Sequence, residues 1–328
     1  MRRRAVREDD AGGTTAGSGD RVRTPAAPHA MQIRRRAADR ATVIRYNVAM
    51  SSEQSPQSPE REYVLGTHDA EIERLAFQHS VWREEVHRAW HAAGIGPGAR
   101  VADVGCGPGF AAVDLARLVG PTGRVHAIDR SRRFLDVLSA AAASAGHGWI
   151  ETHEADLMEK PLPARDLDAV WCRWVACFVP DVRRLVRSIA TSLRPGGRVV
   201  LHEYFAYSTY GSIPRRPEIS AFVEAVYESW RAQGGEPDIA IELPRILVDA
   251  GFDLASARPI GFAARPHQRN WRWPAEFVRT NVPRLVELGI RDRAWADAVL
   301  SALDEAERDP AAIFVTPTVL EIVAIKAR

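Results

Sequence analysis

Short apolar runs alternate with amphipathic stretches between residues 99 and 203. Val101–Val104, Val125–Ile128, Trp149–Thr152, Leu167–Arg173 and Val199–Leu201 are brief, rich in β-branched residues and bounded by turn formers, the signature of buried strands. The segments between them carry helical periodicity. Strand–helix alternation at this pace predicts a doubly wound α/β fold with a mostly parallel sheet and helices on both faces. Upstream, Ile72, Leu75, Trp82, Val86 and Trp90 fall near one face of a helix over 69–93, ended by Gly94, Gly96, Pro97 and Gly98. His87 and His91 are four apart on it, a zinc-compatible spacing. Arg88 stands where the metalloprotease motif needs Glu, so both read as helix-face histidines and no metal is expected.

The first 60 residues have no such pattern. Arg, Gly, Thr, Ser and Pro dominate, and Ser51–Pro59 is a Ser/Gln/Pro run, so 1–60 reads as a disordered tail; translation starting at Met50 is a plausible alternative. Residues 1–50 hold 11 Arg against 5 acidic residues, which leaves the rest of the 328-residue chain at −4 beneath an overall +2. A mildly acidic body argues against a nucleic-acid face. No stretch approaches 18 uninterrupted apolar residues, so no membrane-spanning helix is expected. Cys106, Cys172 and Cys177 lie in or beside strands and read as buried thiols in a reducing cytoplasm.

The chemistry concentrates in Val101–Phe110, VADVGCGPGF, and in Asp129, 20 residues past Gly109 at the end of RVHAID. Gly105, Gly107 and Gly109 let the chain turn sharply between strand and helix, and a carboxylate closing the next strand can accept from two vicinal hydroxyls. A nucleoside-containing cofactor fits. Phe110 replaces the third glycine of a dinucleotide fingerprint, and Asp103 before the turn would repel a pyrophosphate but suits an ammonium or sulfonium.

The segment closely resembles the first motif of class I S-adenosylmethionine-dependent methyltransferases. Glu154-Ala155-Asp156-Leu157, Phe178-Val179-Pro180-Asp181 opening a helix, and the turn Leu193-Arg194-Pro195-Gly196-Gly197 match further parts of that family, and the likeness covers roughly 62–328. It implies a seven-stranded Rossmann-like sheet with helical cap insertions at about 204–250 and 264–310, preceded by an N-terminal element, 61–98, that closes over the cofactor. S-adenosyl-L-methionine is the implied cofactor. Its site would comprise Asp103, Gly105, Cys106, Gly107 and Gly109, with Asp129 on the ribose and Arg130 over the adenine. Asp156 and Leu157 would meet the adenine amino group, and the backbone of Arg173 the methionine ammonium. Tyr63 and Gln78 would come from the N-terminal element.

His202 and Glu203, at the expected end of strand five, are the candidate catalytic pair, with His68 a weaker candidate. Tyr204, Tyr207, Tyr210, Trp230, Trp271, Trp273 and Phe277 would wall a pocket for a small, aromatic or apolar acceptor. The transfer would be in-line to oxygen, nitrogen or carbon. The Asn/Asp-Pro-Pro-aromatic, Pro-Cys and paired-glutamate motifs of macromolecular methyltransferases are missing. Two other readings stay open: a protein of this fold that binds the cofactor but does other chemistry, and a nicotinamide oxidoreductase.

Overall fold

The apolar runs become the central strands of one sheet in the computed structural model, which describes residues 69–328. Tyr63, His68, Met50 and the tail lie outside the described residues. Helix α1 (Asp69–Ala92) leads into β1 (Arg100–Val104), α2 (Phe110–Val119), β2 (Arg124–Asp129), α3 (Arg132–Ala145), β3 (Ile150–Glu154), β4 (Leu167–Arg173), α4 (Val182–Ser192) and β5 (Leu193–Ala206). There follow β6 (Gly211–Ile213), α5 (Pro217–Ala232), α6 (Leu243–Asp249), β7 (Phe252–Ile260), β8 (Ala263–Ala264), α7 (Arg272–Glu287), α8 (Arg293–Arg308), β9 (Ile313–Val315) and β10 (Thr318–Lys326). The main sheet has the order β3-β2-β1-β4-β5-β10-β7, and β10 runs antiparallel to both neighbours. Strand order reverses between β1 and β4, which opens a crevice at their carboxyl ends.

Burial explains the central strands. Val101, Ala102 and Val104 of β1 are fully enclosed between layers, and Trp82, Val86 and Trp90 of α1 close one side. Three helices start on side-chain caps: Ser131 accepts from Phe134 N, Asp181 from Arg184 N and Asp292 from Trp295 N. Helix α2 instead starts at Gly109 in the left-handed region, with no side-chain cap.

Two stretches differ from the sequence expectation. The LRPGG segment is not a turn ahead of the strand: Leu193 already pairs with Leu167, and the register then jumps to Ala169–Arg198, so residues 194–197 bulge from β5. The closing run Ile313–Lys326, whose apolar residues read as one last antiparallel strand, is two strands. Ile313–Val315 is the middle strand of a small antiparallel sheet, β6-β9-β8, and only Thr318–Lys326 joins the main sheet. Helices α5, α7 and α8 pack on one another beside that small sheet.

A candidate cofactor and acceptor cleft

The glycine turn is held from both sides. The amides of Gly105 and Cys106 donate to the Ile128 carbonyl at 2.8 and 3.0 Å, tying the turn to β2. Gly105 has φ +66°, and a Cβ there would lie 2.3 Å from Cγ2 of Val175. Gly107, φ +54°, meets nothing within 4 Å at its Cβ position, so its bare face is open to a close-approaching ligand. Asp129 organises this end: Oδ2 accepts from Gly107 N and Oδ1 from Ser131 N, both at 2.8 Å. Burial pushes its carboxyl above the usual carboxylate range, against those two amides. A carboxylate has about four acceptor sites, so two amides leave capacity for a pair of hydroxyls.

The Asp129 carbonyl accepts from Ala155 N at 3.0 Å, which draws the turn after β3 alongside. Asp156 there accepts from Met158 N at 2.8 Å, and Leu157 is buried. Arg130 is half-buried directly after Asp129. These residues gather at the ends of β2 and β3, outside the cleft lining described next.

That cleft, about 820 Å³ including space open to solvent, is lined by Asp103, Gly105, Cys106, Gly107, Gln78, Arg173 and aromatic rings. Asp103 is buried, with Oδ2 lacking any partner, and burial raises its carboxyl to about 7 despite the opposing field of Arg173. Arg173 leaves Nη1 unpartnered, while Nη2 donates to His79 Nδ1 at 3.2 Å. Its guanidinium lies 4.9 Å from the Trp174 ring centre. Burial lowers Arg173 to about 10, so it stays cationic at neutral pH. Accepting at Nδ1 makes His79 the Nε2–H tautomer, which donates to Asp114 Oδ2 at 3.1 Å; burial holds it neutral, at about 4. Arg83, His87 and Arg117 also bond Asp114, so His87 is an anchor of α1. On α1, Glu71 takes a bidentate pair from Arg74, and Gln78 accepts from Arg74 and from Trp273 at 3.1 and 3.0 Å. That fixes the amide oxygen and leaves the Gln78 NH2 for the cleft.

Much of the remaining lining is aromatic: Phe110, Trp171, Trp174, Phe178, Tyr204, Trp230 and Phe277. Trp174 is its hinge. With φ +53° it is one of two non-glycine residues in the left-handed region among those described. Its ring stacks on Tyr204 and on Trp273, at 5.5 and 5.9 Å between centroids.

Glu203 holds that strained loop. Its carboxylate accepts from the amides of Val175, Ala176 and Cys177 at 2.8, 2.9 and 3.4 Å. Burial raises it to about 7, against these amides. The expectation that Glu203 and His202 face the acceptor is therefore corrected. Strand β5 continues to Ala206, five residues past the expected end, so both sit inside the sheet, fully buried and outside the lining. His202 bonds Glu321 of β10 at 3.0 Å and packs under Trp171. Tyr204, the next residue along, is the one that reaches the cleft. Arg173 is a second correction: its side chain, not only its backbone, faces the cleft. Glu71, Arg74 and Leu75 of α1 also line the cleft, as does Trp174, whose position before the loop gave no signal of a left-handed backbone.

The residues fit S-adenosylmethionine. The orphaned Asp103 Oδ2 and Arg173 Nη1 are opposite charges in one cleft, suited to the ammonium and carboxylate of an amino acid, and Gly107 offers the bare backbone a nucleoside needs.

Residues 102–201 match the family model described as a methyltransferase domain. A demethylmenaquinone methyltransferase of Bacillus cytotoxicus is 28% identical over 202 residues, 57% of this chain and 83% of the relative. One of the same description from Staphylococcus aureus JH9 is 34% identical over 126 residues, 38% of this chain; the chain spans half the length of that relative. A candidate methyltransferase from Bacillus halodurans C-125 superposes with TM-score 0.51 at 18% identity, over 75% of this chain and all of that one, which establishes the shared fold. Family model, relatives and sheet order agree: residues 102–201 are a methyltransferase domain, and the chain is similar to S-adenosylmethionine-dependent methyltransferases of the small-molecule type.

Proposed function

We propose that the acceptor is a small, flat and largely apolar molecule, bound against the aromatic wall with its nucleophilic atom turned toward Asp103 and Arg173. One observation carries this: the rings of Trp174, Tyr204, Trp230 and Phe277 line one cleft together with two buried charged groups, Asp103 and Arg173, each with a polar atom that has no protein partner. The demethylmenaquinone named for both relatives is an acceptor of the kind such a cleft takes. Segments 204–250 and 264–310 act as the cap, since they supply Tyr204, Trp230 and Phe277, and α1 closes the cofactor end through Gln78. The −4 body supports a small acceptor over a nucleic acid, and three buried thiols, each pushed up by burial, suit a reducing cytoplasm.

S-adenosylmethionine, when bound, supplies an electrophilic methyl on a sulfonium. The chain's own residues align and dehydrate. Asp103 and Arg173 hold the amino-acid end, Asp129 the ribose, and Trp174 sets the acceptor plane while the surrounding rings exclude water. No described lining residue is a histidine. Burial holds the Tyr204 hydroxyl well above its usual range, Glu71 is committed to Arg74, and Asp103 is assigned to the cofactor ammonium. The acceptor therefore arrives already nucleophilic, as a phenolate, an enolate or a neutral amine, rather than losing a proton to a dedicated base.

The test is transfer of labelled methyl from S-adenosylmethionine to a panel of phenols, amines and reduced quinones. Transfer to a flat aromatic acceptor is expected. Tight S-adenosylhomocysteine binding with no transfer to any member would overturn the acceptor class and favour other chemistry on the same fold.

A further inference from the structure

Away from the cleft, the edge of the main sheet gathers a second set of chemistry-bearing side chains. Strands β2 and β3 pair in parallel with His126 opposite Glu151, and His153, two residues on, falls on the same face. His126 Nδ1 lies 3.1 Å from His153 Nε2 and 3.3 Å from Glu151 Oε2; His153 Nε2 is 4.0 Å from that oxygen. The point equidistant from these three atoms is about 2 Å from each, the length of a zinc–imidazole or zinc–carboxylate bond.

The geometry points to a transition-metal site of zinc type, His126–Glu151–His153, with a fourth position open to water. The surroundings agree. Arg124 Nη1 lies 3.3 Å from Glu151 Oε1, which engages one carboxylate oxygen and leaves Oε2 to the triangle. His126 is buried and its Nε2 has no partner, so all of the ring's bonds are on the Nδ1 side. A bound ion would pin edge strand β3 to β2, three residues before Asp129. Sequence spacing did not reveal the group, because strand register, not local spacing, brings 126 to 151.

The alternative is a plain hydrogen bond between two imidazoles beside a carboxylate, and zinc separates the two. The full chain, stripped with a chelator, is titrated with Zn²⁺ by calorimetry and with Co²⁺ by visible absorption. One ion per chain at micromolar affinity or tighter is expected, with the intense absorption of four-coordinate cobalt. His153→Ala and Glu151→Gln, both at partly exposed edge-strand positions, should each weaken binding by at least about tenfold. His91→Ala should leave it unchanged, and S-adenosylhomocysteine affinity should persist in all three variants as the check on folding. Absence of stoichiometric zinc binding, or binding unaltered by both His153→Ala and Glu151→Gln, would overturn the site.

Discussion

The two walls of the cleft are made in different ways. The cofactor wall draws Asp103, Gly105 and Gly107 from one turn, with Asp129 just outside the lining, and backbone amides do much of the holding. The acceptor wall draws Phe110, Trp174, Tyr204, Trp230 and Phe277 from five separate parts of the chain and holds them by ring packing. A wall made from one turn is specified locally and has one geometry. A wall assembled from distant side chains can change its shape one ring at a time while the turn stays as it is. On the proposed function, cofactor identity is a property of the motif, and acceptor identity a property of the segments that supply the rings.

Substitutions can break that contrast at either wall. The largest effect is expected at Asp129, where Asp129→Ala removes a carboxylate bonded to the turn and assigned to the ribose. Charge-assisted bonds are worth about 1.5–3 kcal/mol each, and a net loss of about 2–4 kcal/mol on removing the carboxylate lowers cofactor affinity by roughly 30- to 900-fold. Calorimetry with S-adenosylhomocysteine reads it, and unchanged affinity would remove Asp129 from the site.

Next is a pH effect at Asp103. Its carboxyl titrates at about 7, and only the ionised form attracts an ammonium. Affinity for S-adenosylhomocysteine should rise with pH, approaching about tenfold per unit below 7 and levelling above it. Arg173, at about 10, and His79, at about 4, do not titrate in this window. Glu203 also titrates near 7, so Asp103→Asn is the control that must flatten the profile. Folding carries the opposite sign. A carboxyl raised by burial favours its protonated form in the native state, so its contribution to stability is lost as pH rises from the ordinary carboxylate range through 7.

The smallest effect sharpens the comparison. Phe277→Ala removes one half-buried ring from the acceptor wall. The acceptor KM should rise about three- to tenfold, the worth of one aromatic contact, with cofactor affinity within about twofold. Equal losses in both would mean that the two walls are not independent.

The legibility of the molecule follows the same division. Strands β1, β2 and β4 and the turn 105–109 were readable because apolar runs and glycines encode them in place. His202 and Glu203 were misplaced because strand length decides which residue emerges, and pairing of β5 with β10, remote in sequence, carries that strand to Ala206. The left-handed Trp174 was invisible because three amides reaching a carboxylate from another strand impose it. The split of the closing run at Thr316 is likewise tertiary: Phe262 and Thr316 exchange two hydrogen bonds, at 2.9 and 3.0 Å, that turn the chain from one sheet to the other.

That crossing bears on how this enzyme could be recombined. Strands β6, β8 and β9 belong to the small sheet, yet β7, an edge of the main sheet, lies among them in chain order. No single excision lifts the acceptor wall off the sheet: a graft from a relative must run from before Tyr204 to beyond Thr316 and import a core strand with it. Exchange of substrate range by block transfer would rebuild the β10–β7 pairing each time, so point changes among the rings are the easier route to a new acceptor.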